Sequence, residues 1–503
     1  MRQNRILAIG IIFLLTGMAI VAQVRPEYRI EIQLKNGYAN ETIFKSQTGF
    51  FVIQAEAEKA TTRGKEIRYD LYDKTLTAIK TVSVYVPVSR KTSMVYNDDT
   101  MIYKLFVDKN GEYVLYSIHI EDLKTDSVKG KFPKSVILQD MKIVNSKAWF
   151  QASQKKKTCI IQLDMQTGQT LISEYIEKTE GKKTSIVNYQ FSPVLGELLV
   201  FLNKYIKKGV CELSQMSVNG NCELCKHVQL TGTGDRVISS VSGCRVSDNK
   251  MVYTGTYSRS YTQVSEGMFF AKAVNDSLSY IHYINFLDMK NFLANTSKLN
   301  QKITGTVKNI YKKMGKEYSK KFLIITHDVV LTPDGYLLIG EVYHPTYHTN
   351  TYTTTSFVNG MAMTQVHSYT VFDGYQYTNA FVAGFSADGN FLWDQSFDMN
   401  SVERPYYPKK FVRISEKTDN HIVLVYASGS IIGSKIIGFD GTVEKETDLD
   451  FINTGNDNEK TIYTTSGAEY WYDNYFLIYG TQSLKNLEDK SRRKVFYVNK
   501  IEF

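Results

Sequence analysis

Short apolar runs separated by tight turns recur along this chain. In "VAGFSADGNFLWDQSF", Val382 to Phe397, one apolar run ends at Asp388-Gly389 and a second, carrying Trp393, follows. The same device returns in "LTPDGYLLIGEVY" from Leu331, "IIGFDGTVEKETDL" from Ile436, "QLDMQTGQTLISEYI" from Gln162 and "QMSVNGNCELCKHVQL" from Gln215. Asp-Gly or Asn-Gly, which four of the five stretches carry, tolerates the left-handed backbone that a tight turn between twisted strands requires, so the device predicts a β-hairpin.

The hairpins divide the chain into eight units: 40–86, 91–133, 138–179, 185–230, 237–288, 322–398, 410–450 and 465–503. Each reads as an inner strand, a strongly apolar second strand, a third strand, a tight turn and an outer strand. That strand count, at a period a little over forty residues, is that of β-propeller blades. The predicted fold is all-β: a single β-propeller of eight four-stranded blades, with seven the next count if two units merge. The last unit ends on its third strand at Phe503, and "EYRIEIQL", Glu27 to Leu34, supplies the missing fourth. Such closure joins the chain ends and removes exposed sheet edges.

Over Glu27 to Phe503 the chain resembles the β-propeller superfamily, and within it exported, uncharacterised bacterial propellers. The Gly-His and Trp-Asp marks of WD40 blades do not recur, nor does a kelch pattern, so the resemblance carries over no functional residue. Propellers serve as enzymes and as binding platforms alike.

Two insertions flank "THDVVLTPDGYLLIGEVY" in the sixth unit. In the first, 289–321, Leu299, Ile303, Val307, Ile310 and Met314 fall at helical spacing, with Asn295, Thr296 or Ser297 placed to cap. Lysines fill most other positions, so a basic amphipathic helix is predicted. Either its apolar stripe packs on the propeller with the lysines in water, or it docks an acidic partner or anionic surface. The second insertion, 343–381, reads as a long Thr/Tyr-rich hairpin or lid. Long composed loops on a rigid scaffold are where function concentrates.

Composition adds an address. Arg2 and Arg5 precede an apolar stretch, Ile6 to Val21, too short for a comfortable membrane span, and Ala22 precedes Gln23 at an acceptable cleavage site. Residues 1–22 therefore read as a secretory signal peptide, residues 27–503 as the propeller domain, and the expected location is the periplasm or cell surface. The net charge of +9 loses two arginines with the signal and becomes +7. Nine lysines (290, 298, 302, 308, 312, 313, 316, 320 and 321) against Glu317 place +8 in one segment, leaving the rest near neutral. An exported chain of this balance points away from nucleic acid and towards an anionic surface or partner. The five cysteines, Cys159, Cys211, Cys222, Cys225 and Cys244, are an odd set, expected mostly as buried thiols.

Candidate chemistry is sparse. His344, His348 and His367 lie in the second insertion, and a hairpin that gathered them would offer a three-imidazole site for Zn²⁺. Cys222-x-x-Cys225 falls on a predicted strand rather than at a helix start, where a redox pair would sit, and Lys226 separates it from His227. Asp328, Asp334, Asp373, Asp388 and Asp394 cluster in the sixth unit, and a glycoside hydrolase would need two of them facing one cleft. Asp334, Asp388 and Asp440 precede glycine and suit turns. There is no GxSxG elbow, HExxH, Walker A loop or dinucleotide fingerprint, and no motif calls for a cofactor.

The favoured function is thus a non-enzymatic binding or scaffolding module with a protein or glycan of the cell envelope as partner. The alternatives are a carbohydrate-active hydrolase or lyase on the same scaffold, or a metal-dependent hydrolase using the three histidines. Candidate binding residues are Tyr343, Tyr347, Tyr352, Phe357 and Tyr369 in the second insertion and Lys302, Lys308, Lys312 and Lys316 in the first, since amphipathic rings and accessible cations suit partner contacts. The expected cleavage after Ala22 is checked by the intact mass of the exported protein. A mass that retains residues 1–22 overturns it.

Overall fold

A computed structural model describes residues 28–503 apart from short breaks at 35–36, 88–90, 181–183, 193–195, 208–209, 232–235, 260–263, 295–296, 400, 416–419, 451–453 and 455. The signal-peptide reading lies outside the described residues. The described strands form eight antiparallel sheets, one for each unit read from the sequence. Within a sheet the strands follow chain order from the inside outwards, as in 38–45, 51–57, 65–72 and 78–86 of the first. The eighth sheet is completed from the other end of the chain. Tyr28–Gln33 pairs antiparallel with Arg492–Glu502, setting Ile30 opposite Val498 and Ile32 opposite Phe496.

Buried side chains collect between sheets rather than around one centre. Eight apolar clusters each join one sheet to the next. Leu105, Tyr113 and Leu115 of the second meet Phe150 and Ile161 of the third, and Phe270 of the fifth meets Leu338 and Phe385 of the sixth. The circuit closes where Phe51 and Ile53 of the first sheet pack against Trp471, Leu477 and Phe496 of the eighth. Phe51 and Trp471 meet edge to face at 5.4 Å. This cyclic arrangement is a β-propeller.

Inner strands crowd the axis and are irregular. Register shifts interrupt them at Ala39/Thr42, Thr92/Met94, Leu138/Asp140, Ile186/Asn188, Ile238/Ser240 and Thr461/Tyr463. In the sixth sheet the inner strand breaks between Leu323–Thr326 and Val330–Thr332, and in the seventh it shrinks to Arg413–Ile414. Each bulge sharpens local twist, which lets a sheet turn from the axis to the periphery.

The recurring turns latch neighbouring sheets together. Four of the five quoted stretches join a third strand to a fourth, whereas Leu331 to Tyr343 joins a first to a second. Their carbonyls accept from the preceding sheet. Gln162 Nε2 donates to Gly220 O at 3.1 Å, Trp393 Nε1 to Phe439 O at 3.1 Å, and Gln395 Nε2 to Gly441 O at 2.8 Å. Trp471 Nε1 donates to Phe50 O at 3.1 Å and so latches the eighth sheet to the first.

Removing Tyr28–Gln33 should expose the edge of Arg492–Glu502 and part of the closing cluster. We expect a fall in melting temperature of roughly 5 °C or more, or aggregation, because several kilocalories of burial are lost. A shift within one or two degrees, read by differential scanning calorimetry, would mean that this strand does not hold the ring closed.

Candidate functional site

Antiparallel order places first-to-second and third-to-fourth turns at one end of every sheet. Second-to-third turns and the links between sheets lie at the other end. Both insertions fall in the second class. The first links the fifth sheet to the sixth, and the second is the second-to-third turn of the sixth sheet. A third excursion, 399–412, links the sixth to the seventh and was not singled out by the sequence. All three therefore emerge at one end, around one sheet.

The first excursion begins with a short 3₁₀ turn, Phe286–Asp288, and carries the helix Lys298–Lys313, capped by Ser297, whose Oγ accepts from Asn300 N at 3.3 Å. The helix is amphipathic and basic as predicted, but the opposite face meets the scaffold. Leu299, Ile303, Ile310 and Met314 are 50–68% exposed, and Thr304 is the buried residue. Polar contacts decide this orientation. Lys308 Nζ donates to Leu287 O at 2.8 Å and pairs with Asp288 at 2.6 Å, Gln301 Nε2 reaches Ala294 O at 3.1 Å, and Lys320 donates to Thr304. Lys308 is thus a tether rather than a free docking cation. Lys302, Lys312 and Lys316 are exposed and make no ion pair among the described residues. Glu317, the one acid of the segment, is held by Arg236, Arg259 and Asn285.

The second excursion is a continuous two-stranded arm. Gly335–Val358 and Met361–Ser386 pair along their whole length and turn at Asn359-Gly360, both with positive φ. Neighbouring strands stop at Tyr343 and Asn379, and the last backbone bonds along the second strand's edge join 399–405 to Thr378, Tyr377 and Tyr375, so beyond these both edges of the arm are open among the described residues. From Tyr347 to the turn the arm runs about 40 Å at the usual strand rise. Described side chains from Thr349 to Thr370 are exposed on both faces, His367 alone being half-buried. The segment therefore stands off the scaffold instead of lying on it as a lid. Thr349 to Phe372 contains no Asp, Glu, Lys or Arg, a feature legible in the sequence but missed there.

Register separates the three histidines. His344 lies opposite Gln376, His348 opposite Val371 and His367 opposite Tyr352, so successive imidazoles stand about 13 Å apart along the ribbon. His348 instead pairs with Asp373, and His367 accepts or donates with Thr354 Oγ1 at 2.8 Å while stacking on Tyr352. They do not make a three-imidazole site, and no cluster of metal-binding side chains occurs among the described residues.

The candidate aromatics divide by height along the arm. Tyr343 belongs to its base, stacked on Tyr377 at 5.3 Å and edge-on to Tyr375 at 5.2 Å, and burial raises its pKa. Phe372 continues the row to Tyr347 at 5.7 Å and to Tyr406 of the third excursion at 6.0 Å. Tyr352, Tyr369 and Phe357 lie further out and are exposed, Phe357 by 75%. The third excursion is seated by Tyr375 N on Pro405 O at 2.9 Å and by a fully buried carboxylate. Glu341 accepts from Phe411 N at 2.9 Å, from Val412 N at 3.1 Å and pairs with His327 Nε2 at 2.7 Å. One cavity adjoins these elements, and a second lies among the inner strands. One of about 500 Å³ lies between the first excursion and the arm base, lined by Phe292, Lys321, Tyr343, His344 and Asn379. The other, about 440 Å³, opens among the inner strands and is lined by Tyr96, Lys142, Gln190, Ser242, Arg245 and Asp328. There Lys142 donates to Tyr189 O at 2.7 Å, and burial lowers its pKa against the pull of Asp328 and Asp140.

No family model matches this chain, and no curated protein matches it. Solved structures do. The Dos1 propeller is 9% identical with a TM-score of 0.42, over 93% of this chain and 95% of that one. The WD40 domain of SCAP from fission yeast is 9% identical with a TM-score of 0.37, over 82% and 98%. A prolyl endopeptidase is 7% identical with a TM-score of 0.38, and this chain spans about half its length, 50%. These are likenesses of fold.

The remaining candidate carboxylates are dispersed. Asp394 accepts from Lys290 N and Asn291 N at 2.9 and 2.6 Å, and Asp373 is held by His348 and Arg404. The backbone carbonyls of Asp334 and Asp388 serve in turn and inter-sheet contacts. The cysteines make no disulfide, and burial raises the thiol pKa of Cys159 to about 11 and of Cys222 to about 12. Among these groups Glu341 is the one on which the site's framework depends. Replacing Glu341 by Ala should cost about 3 kcal/mol in urea unfolding, since it strands a buried imidazole and two amides. Hydrogen exchange at Phe411 and Val412 should quicken with it, and unchanged exchange there would contradict the clamp.

Proposed function

We propose that this protein is an exported, non-enzymatic binding or scaffolding module. Its working surface is the end where the three excursions meet, and its partner is a protein or glycan of the cell envelope. One observation carries the reading: an arm without formal charge from Thr349 to Phe372 is exposed on both faces and open along both edges. Unpaired edges are ordinarily blunted by charge, proline or cover. This ribbon has none of these beyond Pro345 at its base, so a partner that adds a strand or clasps the ribbon would satisfy it. Exposed Tyr352, Phe357 and Tyr369 supply rigid contact area at low entropic cost. The three histidines lie too far apart along the ribbon to hold one metal ion together, which removes support from the metal-dependent alternative.

Capture from the producing cell's own envelope tests the proposal. Tagged mature protein should retain a partner that is lost when Thr349–Gln365 is replaced by a short Gly-Ser turn. The melting temperature of that variant should stay near the parent's, because the excised residues make no core contact. If both proteins capture the same partner equally, the arm is not the binding element.

A further inference from the structure

The first excursion carries a second, separate signal. On a helix with 100° per residue, Leu299, Ile303, Ile310 and Met314 fall within an arc of about 60°. All four point away from the scaffold. Lys302 and Lys313 border that arc, with Lys298 beyond them, while Thr304 and the tethered Lys308 hold the opposite side to the protein, the side on which Lys312 also falls. An apolar stripe turned outwards beside a row of free ammonium groups matches the interior and headgroups of an anionic bilayer, and matches water poorly.

The neighbouring excursion repeats the chemistry. In 399–412, Val402, Tyr406 and Tyr407 are exposed beside Arg404, Lys409 and Lys410. Tyrosine favours the headgroup level, with its ring in the apolar layer and its hydroxyl in water. The acids of the two excursions and the arm base are already engaged: Glu317 with two arginines, Asp288 with Lys308, Asp373 with His348 and Arg404, and Glu403 with Lys409. The uncharged arm adds nothing that an anionic surface would repel. No described helix is long and apolar enough to cross a membrane, so this sixteen-residue helix would lie in the surface plane.

We propose that the helix Lys298–Lys313, together with the exposed tyrosines of 399–412, seats this protein on an anionic phospholipid surface. The proposal rests on the reading that the excursion end is the working face, and it assigns lipid to the helix and leaves the arm to its own partner. Attraction to the headgroups brings the face in, and partition of the stripe into the acyl boundary holds it there.

Flotation of the full mature chain with vesicles tests this. Vesicles of phosphatidylcholine mixed with phosphatidylglycerol should bind the protein at least roughly tenfold better than phosphatidylcholine alone, and added salt should erase the difference. Replacing Lys298, Lys302 and Lys313 by Gln should weaken binding on the order of a hundredfold, at a few-fold per cation. Leu299→Gln with Ile303→Gln and Ile310→Gln should abolish it, while moving the melting temperature little because half or more of each side chain is exposed. The arm-shortened variant should bind vesicles as the parent does. Equal binding to both vesicle types, or wild-type binding by either helix variant, overturns the proposal. So does a parent protein that ignores vesicles and self-associates through the stripe, which would make the occupant a protein. Loss of vesicle binding with arm-dependent capture intact refutes the lipid assignment alone. Vesicle binding without arm-dependent capture refutes the function of the arm alone.

Discussion

Cohesion in this protein is passed from sheet to sheet, and the whole depends on the circuit being closed. Among the described residues no apolar core is shared by all eight sheets. Each cluster serves one interface, so an open ring would leave two apolar faces, one on the first sheet and one on the eighth, with nothing to cover them. Strand pairing of Tyr28–Gln33 with Arg492–Glu502 and the contact of Trp471 with Phe50 and Phe51 supply that cover. The hydrophobic drive is large in sum, but it acts only when the last interface forms.

The two ends of the ring then do different work. At one end, tight turns present carbonyls that side chains of the preceding sheet grip, and little chain is spare. At the other, loops are under no such constraint and the sixth sheet spends them on excursions. Holding those excursions requires unusual investment in buried polarity: Glu341 fully enclosed with three donors, Asp394 receiving two amides, Asn285 bridging to Glu317 and Tyr318. A buried carboxylate is tolerable only when its lone pairs are met, and here they are.

Hairpin periodicity made most of this fold legible. Gly168, Gly389 and Gly441 take the left-handed backbone their turns need, and in the Gln215 stretch Cys222 takes it instead of Gly220, so unit borders read from Gln162, Gln215, Val382 and Ile436 match the sheets, as does closure by the N-terminal strand. The helix was legible in position and charge but not in orientation. A periodic apolar stripe is ordinarily the buried one, and here Lys308, Gln301 and Thr304 anchor the polar side instead. Separation of His344, His348 and His367 follows from strand rise and pairing partners that only the structure displays. The excursion 399–412 has no period to detect; its one mark is Pro405 and Pro408 bracketing two tyrosines in a chain with eight prolines. Glu341 had a signal too, as the lone carboxylate inside the apolar run "GYLLIGEVY".

The arm has a property that the ring lacks: its length is free. Each propeller strand is bounded by neighbours, so an added residue disturbs two interfaces. The ribbon beyond Tyr347 and Phe372 touches no other sheet. Two residues added to each of its strands would move the tip outwards by about 7 Å and return every side chain to its former face, because strand side chains alternate with a period of two. One residue added to each would exchange the faces of everything nearer the tip. Over descent such an arm can act as an adjustable ruler, lengthening or shortening in steps of two while the scaffold keeps its sequence.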